Sequence, residues 1–299
     1  MIAPPTAQAE PPLGRLYDVA GRRLMLHRSG TGGPAVVFVP GAGLVGLDYL
    51  NTHDRVAELA TSVLYDRAGT GWSDPAELPR TAAEVTGELR DLIRAAGVPG
   101  PYLMVGHSLG GAYARHYAQR FPGEVAGLLL LDPFHEDMVT RAPRQVLEML
   151  AEMKSRELPE PTEEQIRLSR EPLARHFAAW PEPVRGPLAE YHLAAWRTGW
   201  REDGNLYDEV SDELRHAPDL PDVPLIVLSA MGPDATQARL WPEETLREIN
   251  DGKRALHAEL AASVSRGEHR ILDDAGHGWM HEERQDAVLQ AIRDLLDRA

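Results

Sequence analysis

The chain of 299 residues contains no cysteine. That single absence excludes disulfides, thiolate metal sites and a cysteine nucleophile together. Long apolar runs are missing too. No stretch approaches the ~18 consecutive apolar residues of a membrane span, so no membrane partner is expected. Basic residues are outnumbered, with 31 Lys and Arg against 46 Asp and Glu for a net charge of −15. A nucleic-acid partner is therefore not expected, because binding a phosphate backbone rests on clustered cations. The acidic residues are scattered and read as a solubilising surface. Residues 1–13, MIAPPTAQAEPPL, lack the basic start and apolar segment of a secretory signal and read as a flexible, proline-rich tail. Together these features predict a cytoplasmic protein of ordinary globular composition, 43% hydrophobic and 26% charged.

Against that background, short apolar runs alternate with longer amphipathic ones. The alternation around Gly21 between Arg15 and His27 predicts a hairpin. AVVFV (35–39), SVLY (62–65), YLMV (102–105), GLLLL (127–131), PLIVL (224–228) and RIL (270–272) read as strands, and their continuous hydrophobicity suits parallel strands covered on both faces. Residues 81–96, 109–121 and 283–296 carry apolar residues at three- and four-residue spacing and read as helices. The expected fold is α/β, with a mostly parallel, doubly covered sheet of about eight strands. Residues 14–134 and 217–299 would form the core. Between them, 135–216 lacks a strand and is cut by prolines, which predicts an inserted helical cap. The insert holds Trp180, Trp196 and Trp200, which either build its own small core or line a substrate pocket.

The sharpest chemical signal is Gly106-His107-Ser108-Leu109-Gly110, a G-x-S-x-G between the YLMV strand and the following helix. Small residues on both flanks let a tight strand-to-helix turn close and leave the serine hydroxyl at its tip. A hydroxyl needs a base to become a nucleophile, and His277, just past the last strand, is the expected one. His281 is its rival; the two have i, i+4 spacing, but no third ligand accompanies them, so no metal is expected. His107, by alternation, faces away from Ser108. The oxyanion formed by attack on a carbonyl needs backbone donors. Leu109 at the helix start is one, and Ala42 in the loop Pro40-Gly41-Ala42-Gly43 after AVVFV is the other. No G-x-G-x-x-G or phosphate-loop pattern stands in a fitting context, so no cofactor is expected.

These residues together resemble the α/β-hydrolase superfamily, from Arg15 to the C-terminus apart from the insert. Asp66-Arg67-Ala68-Gly69-Thr70-Gly71-Trp72-Ser73 is similar to the D-x-R-G-x-G-x-S loop of many members. Pro40-Gly41 departs from the common His-Gly before the oxyanion loop, and a serine nucleophile speaks against the epoxide hydrolase and haloalkane dehalogenase branches. The resemblance implies a cofactor-free hydrolase of esters, lactones or thioesters acting on a small, largely apolar molecule through an acyl-enzyme. C–C bond hydrolysis, perhydrolase or haloperoxidase chemistry, and a non-catalytic ligand-binding protein are the alternatives. It also implies an acid that orients His277, placed after the sixth or the seventh strand. Asp132 ends GLLLL. Asp234 lies beyond PLIVL, but the Gly-x-x-Asp expected there is out of register, with Ser229 in place of the Gly and Gly232 in place of the Asp. Asp132 is therefore the expected acid and Asp234 the alternative.

Overall fold

The computed structural model describes residues 10–155, 159–232 and 241–299. The predicted hairpin is present as β1 (Arg15–Val19) and β2 (Arg22–Ser29), paired antiparallel. The other strands are β3 (Ala35–Val39), β4 (Ser62–Tyr65), β5 (Tyr102–His107), β6 (Val125–Leu131), β7 (Leu225–Ala230) and β8 (Gly267–Leu272). They form one eight-stranded sheet in the order β1-β2-β4-β3-β5-β6-β7-β8, parallel from β4 through β8.

Side chains of successive strand residues point to opposite faces, and both faces are covered. Val36, Phe38, Leu103, Val105, Leu129, Leu131, Ile226 and Leu228 pack on one side; Val37, Val39, Met104, Leu128, Leu130 and Val227 pack on the other. Both sets are buried, which is why these strands read as unbroken apolar runs.

Helices α1 (Leu50–Ala57), α2 (Ala82–Ala95) and α3 (Leu109–Arg120) connect the first strands. Thr81 caps α2 by accepting from the Glu84 amide while the Glu84 carboxylate accepts from the Thr81 amide. The chain between β6 and β7 forms six helices: α4 (Met138–Arg141), α5 (Arg144–Ser155), α6 (Glu163–His176), α7 (Glu182–Ala194), α8 (Thr198–Glu202) and α9 (Ser211–His216). A long helix, α10 (Glu243–Ala262), joins β7 to β8; α11 (Met280–Glu283) and α12 (Gln285–Leu296) end the chain. The sequence reading did not single out α10, and its inner face supplies two side chains to the site.

Candidate active site

Ser108 sits between the end of β5 and the start of α3, with φ 52° and ψ −121°. This is a left-handed conformation that a non-glycine residue adopts only where the surroundings impose it. The surroundings here are two glycines. A Cβ on Gly110 would lie 2.0 Å from the Val39 carbonyl oxygen, and one on Gly106 would lie 2.5 Å from the Gly110 carbonyl oxygen. The turn therefore closes only with glycine on both sides.

Strand register then brings the acid alongside. His107 pairs with Leu131 across β5 and β6, so the next residues, Ser108 and Asp132, leave the sheet side by side. The Ser108 amide donates to the Leu131 carbonyl at 3.0 Å, and the Asp132 amide donates to the Leu228 carbonyl at 2.7 Å. Asp132 is also left-handed, at φ 42°.

His277 lies between them. Its Nδ1 is 2.6 Å from Asp132 Oδ2, and its Nε2 is 3.0 Å from Ser108 Oγ. An ionised carboxylate only accepts, so Nδ1 carries the proton and Nε2 is left to accept from the serine hydroxyl. That tautomer is the one a general base requires. The sequence-predicted Ser108, His277 and Asp132 thus form one hydrogen-bonded line. Asp234 falls outside the described residues. His281 is elsewhere: it is buried, stacked on Tyr49 with ring centroids 4.1 Å apart, and its Nε2 donates to the Asp48 carbonyl at 3.3 Å. No group of three metal-ligating side chains occurs among the described residues.

Asp132 is buried and accepts three hydrogen bonds. Besides His277, the Ala230 amide donates to Oδ1 at 3.1 Å and the Lys253 ammonium donates to Oδ2 at 3.0 Å. Burial alone would push the carboxyl up. Lys253 first, then the hydrogen bond and charge of His277, then His257, outweigh that and hold it well below the usual carboxylate range. Asp132 is therefore a fixed anion at any pH near neutrality.

His107 does point away from Ser108, and it supports the site from behind. The Gly41 amide donates to the Tyr49 hydroxyl oxygen at 3.2 Å, Tyr49 donates to His107 Nδ1 at 2.7 Å, and His107 Nε2 donates to the His277 carbonyl at 2.7 Å. This relay ties the loop after β3 to the loop carrying His277. Burial, and secondarily the neighbouring His277, pushes His107 down to about 3, so the ring stays neutral as the relay demands.

The loop Pro40-Gly41-Ala42-Gly43 is held by Arg67 and Glu202. Arg67 donates to the Pro40 carbonyl at 2.6 Å and to the Gly41 carbonyl at 2.9 Å. Its guanidinium is also paired bidentately with Glu202, at 2.7 and 3.0 Å. Glu202 Oε2 in turn accepts from the Gly43 amide at 2.7 Å. Both charged side chains are buried, 2% and 3% exposed, where a bidentate pair with four of the five guanidinium donors used is what makes burial tolerable. The Gly41 and Gly43 amides of this loop are committed to Tyr49 and Glu202, and two further amides border the turn: that of Ala42, between them, and that of Leu109, which opens α3 directly after Ser108. They are the donors predicted from sequence for an oxyanion.

Glu202 belongs to the insert, at the end of α8. The same helix packs its backbone on the loop, since a Cβ on Gly199 would lie 3.2 Å from both Gly43 Cα and its nitrogen. Glu202 and Tyr49 were not legible in the sequence, because neither carries a motif. Arg67 was read only as part of a structural loop.

The three tryptophans part company. Trp180 is buried among Phe177, Leu188 and Met280, and its indole N–H donates to the Leu47 carbonyl at 2.8 Å. It is a packing residue joining the insert to the core. Trp196 is 37% exposed and lines an open groove with Ile166, Leu168, Pro172, Leu173 and Leu193. Trp200 is half-buried on α8, next to the Gly199 contact. Trp279, absent from the sequence reading, stacks near His176 at 4.0 Å between centroids and completes the aromatic layer under the insert.

No helix among the described residues is long and apolar enough to cross a membrane. Comparison with known proteins matches the architecture. The structure superposes on a meta-cleavage product hydrolase (CumD) from Pseudomonas fluorescens IP01 with TM-score 0.62 and 14% identity, covering 96% of this chain and 98% of the other. It superposes on a thermophilic esterase from Thermogutta terrifontis with TM-score 0.57 and 20% identity, covering 95% and 97%. For the epoxide hydrolase CorEH the values are 0.64 and 16%, covering 95% and 98%. At such identities these are likenesses of fold. Among curated sequences, the uncharacterized protein YqjL of Bacillus subtilis is 35% identical over 107 residues, 36% of this chain and 42% of that protein. YbdG of the same organism is 26% identical over 121 residues, 40% of this chain and 37% of that protein. The chain thus spans about four tenths of the length of these relatives. The sequence profile of the alpha/beta hydrolase family matches residues 36–291, strand β3 through helix α12. With the nucleophile turn, the sheet order and that match in agreement, the chain belongs to the alpha/beta hydrolase family.

Proposed function

We propose that the protein is a Ser-His-Asp hydrolase that cleaves an ester-type bond (carboxylic ester, lactone or thioester) of a small, largely apolar substrate through an acyl-enzyme. The observation that carries this reading is the unbroken line from Ser108 Oγ through His277 to Asp132. Ser108 attacks the carbonyl carbon while His277 Nε2 takes its proton. Asp132 keeps the imidazole in the receiving tautomer and stabilises the imidazolium. The negative oxygen is bound by the amides of Ala42 and Leu109. His277 then returns the proton to the leaving group. Water, deprotonated by the same ring, releases the acid and restores Ser108. The insert, residues 135–216, acts as a lid over the substrate, in keeping with the α8 contacts on the loop after β3. Trp196 and Trp200 are the tryptophans placed to meet substrate. A chain without cysteine fits the cytoplasm, where thiol chemistry is not needed for stability.

The test is a fluorophosphonate probe followed by intact-mass measurement, with the adduct mapped to its peptide, alongside a panel of p-nitrophenyl esters. An adduct on Ser108 together with ester turnover is the expected result. Labelling without turnover of any ester would favour a ligand-binding protein or another bond type. No labelling would remove Ser108 as nucleophile.

A further inference from the structure

Lysine is nearly absent from this chain. Of 31 Lys and Arg, only Lys154 and Lys253 are lysines. One of the two is buried against the acid of the site. Lys253, on the inner face of α10, is 9% exposed. Its ammonium donates to Asp132 Oδ2 at 3.0 Å and to the Ala230 carbonyl at 2.5 Å. His277 Nδ1 holds the same carboxylate oxygen at 2.6 Å, so a permanent cation and the base share one acceptor atom. One turn further along α10, His257 Nε2 donates to the Pro133 carbonyl at 2.9 Å, and its Nδ1 accepts from Ser229 at 2.6 Å. An arginine would not be equivalent here, because a guanidinium spreads its charge over a planar group whereas the ammonium is a compact point charge beside Asp132.

The charge arithmetic has a direct consequence. With Lys253 cationic and Asp132 anionic, the cluster is neutral while His277 is neutral. Protonating His277 adds an uncompensated positive charge beside the ammonium. Without Lys253, the same protonation would make a neutral Asp–imidazolium pair. The other groups facing His277 leave this balance in place. His107, behind it, is buried and neutral; His257, beside Asp132, is pushed down to about 4, chiefly by burial; His269 reaches the cluster through Ser229; Asp203, from the insert, and Glu283, which accepts from the Gly276 amide at 2.6 Å, are the additional acids, and both are present in wild type and variants alike.

We propose that Lys253 is a positioning residue of the Ser108–His277–Asp132 line, which fixes the Asp132 carboxylate and, by opposing positive charge on His277, favours the proton-accepting form of the base. This proposal rests on the reading of His277 as the base. Two like charges within about 6 Å, in surroundings of intermediate dielectric, shift a titration midpoint by about one to two pH units.

The experiment compares Lys253→Arg, Lys253→Gln and Lys253→Met in the full chain. Folding of each is checked by circular dichroism, and kcat/KM for a p-nitrophenyl ester is followed from pH 8 downward. In Lys253→Met and Lys253→Gln the acid-side midpoint should lie about one to two pH units above wild type; well below both midpoints this leaves them about 10- to 100-fold below wild type relative to their own plateaus. Lys253→Arg should keep the midpoint near wild type while losing plateau rate through misplacement of Asp132. Gln keeps a donor for Asp132 and covers the case in which Met fails to fold. Midpoints of both neutral variants within about 0.3 of wild type would overturn the proposal. An activity-free measurement separates this failure from failure of the hydrolase reading: NMR titration of the His277 imidazole in a Ser108→Ala background, assigned by its loss in His277→Asn. The same upward displacement in the Lys253 variants supports the proposal whether or not any ester is turned over. An unmoved His277 titration overturns it.

Discussion

The core of this molecule and its insert are built by different means. In the core, β3, β5, β6 and β7 are buried along nearly their whole length, Ser108 and Asp132 leave it at points fixed by backbone hydrogen bonds to the neighbouring strands, and the loop carrying His277 is tied down by His107. The insert has less to hold it. Helix α6 buries no residue at all, and α8 is five residues long. The insert joins the core through apolar side chains in both clusters flanking the sheet, Phe177, Val184, Leu188 and Tyr191 in one and Leu206, Val210 and Leu214 in the other, and through specific contacts: Glu202 with Arg67, Gly199 on Gly43, the Trp180 indole on Leu47, and His192 Nε2 on Asp48 at 2.8 Å. Two of these contacts, those of Glu202 and Gly199, bear on the loop that contains Ala42.

The largest expected effects belong to the core. Ser108→Ala should lower kcat by about 10⁴-fold or more while leaving the melting temperature within a degree or two, since the hydroxyl touches only His277. Asp132→Asn should cost about 10⁴-fold through the wrong tautomer, with Asp234→Asn near wild type. Steady-state kinetics on both decide the acid, and the reverse pattern would place it after β7.

Acid should weaken the core next. His107 and His53 are pushed down to about 3 and His257 to about 4, in each case chiefly by burial. Unfolding returns each ring to the ordinary value near 6.5. The stability gained by keeping them neutral is fully present above pH 6.5 and is lost as pH falls toward 3 to 4, at about 2 kcal/mol per ring by pH 5. Thermal melts from pH 8 to pH 4 should fall steeply below 6.5. A flat profile would mean that these rings find protonated partners.

At the joint between the regions, Glu202→Ala strands a buried guanidinium. It should destabilise by about 3–5 kcal/mol, and it should lower kcat as well, because the loop carrying Ala42 loses its anchor. Stability loss with unchanged kcat would show that the loop holds its shape without the insert. The contrast between tryptophans is the finest test. Trp180→Ala should cost about 3–5 kcal/mol as a core truncation. Trp196→Ala should change stability by no more than about 0.5 kcal/mol and alter KM for bulky esters rather than for p-nitrophenyl acetate. Chemical denaturation and a two-substrate comparison read both.

The same division explains what could be read from the sequence. The strands were legible because residues such as AVVFV and GLLLL are buried on both faces and so leave an unbroken apolar signature. Ser108 was legible because backbone strain demands Gly106 and Gly110 at fixed spacing. His277 and Asp132 followed from their places at strand ends. Glu202, Tyr49 and Lys253 were not, because each acts across a long sequence separation through a contact that no local pattern encodes. Glu202 lies 135 positions from Arg67, and Lys253 lies 121 from Asp132. Among the tryptophans, composition could not separate Trp180, a strut, from Trp196, a groove wall.

The position of Asp132 has a further consequence for how such a protein can be rebuilt. Asp132, which on the proposed reading orients the base, stands directly after β6 where the chain leaves the sheet for the insert, and the Phe134 amide is still bonded to the Ser108 carbonyl at 3.0 Å. The transplantable cassette therefore starts after Phe134 and closes ahead of β7. A foreign cap spliced within those limits inherits an intact reaction centre, provided that it brings its own carboxylate to meet Arg67. A graft cut three residues earlier, after Leu131, discards Asp132 along with the old cap.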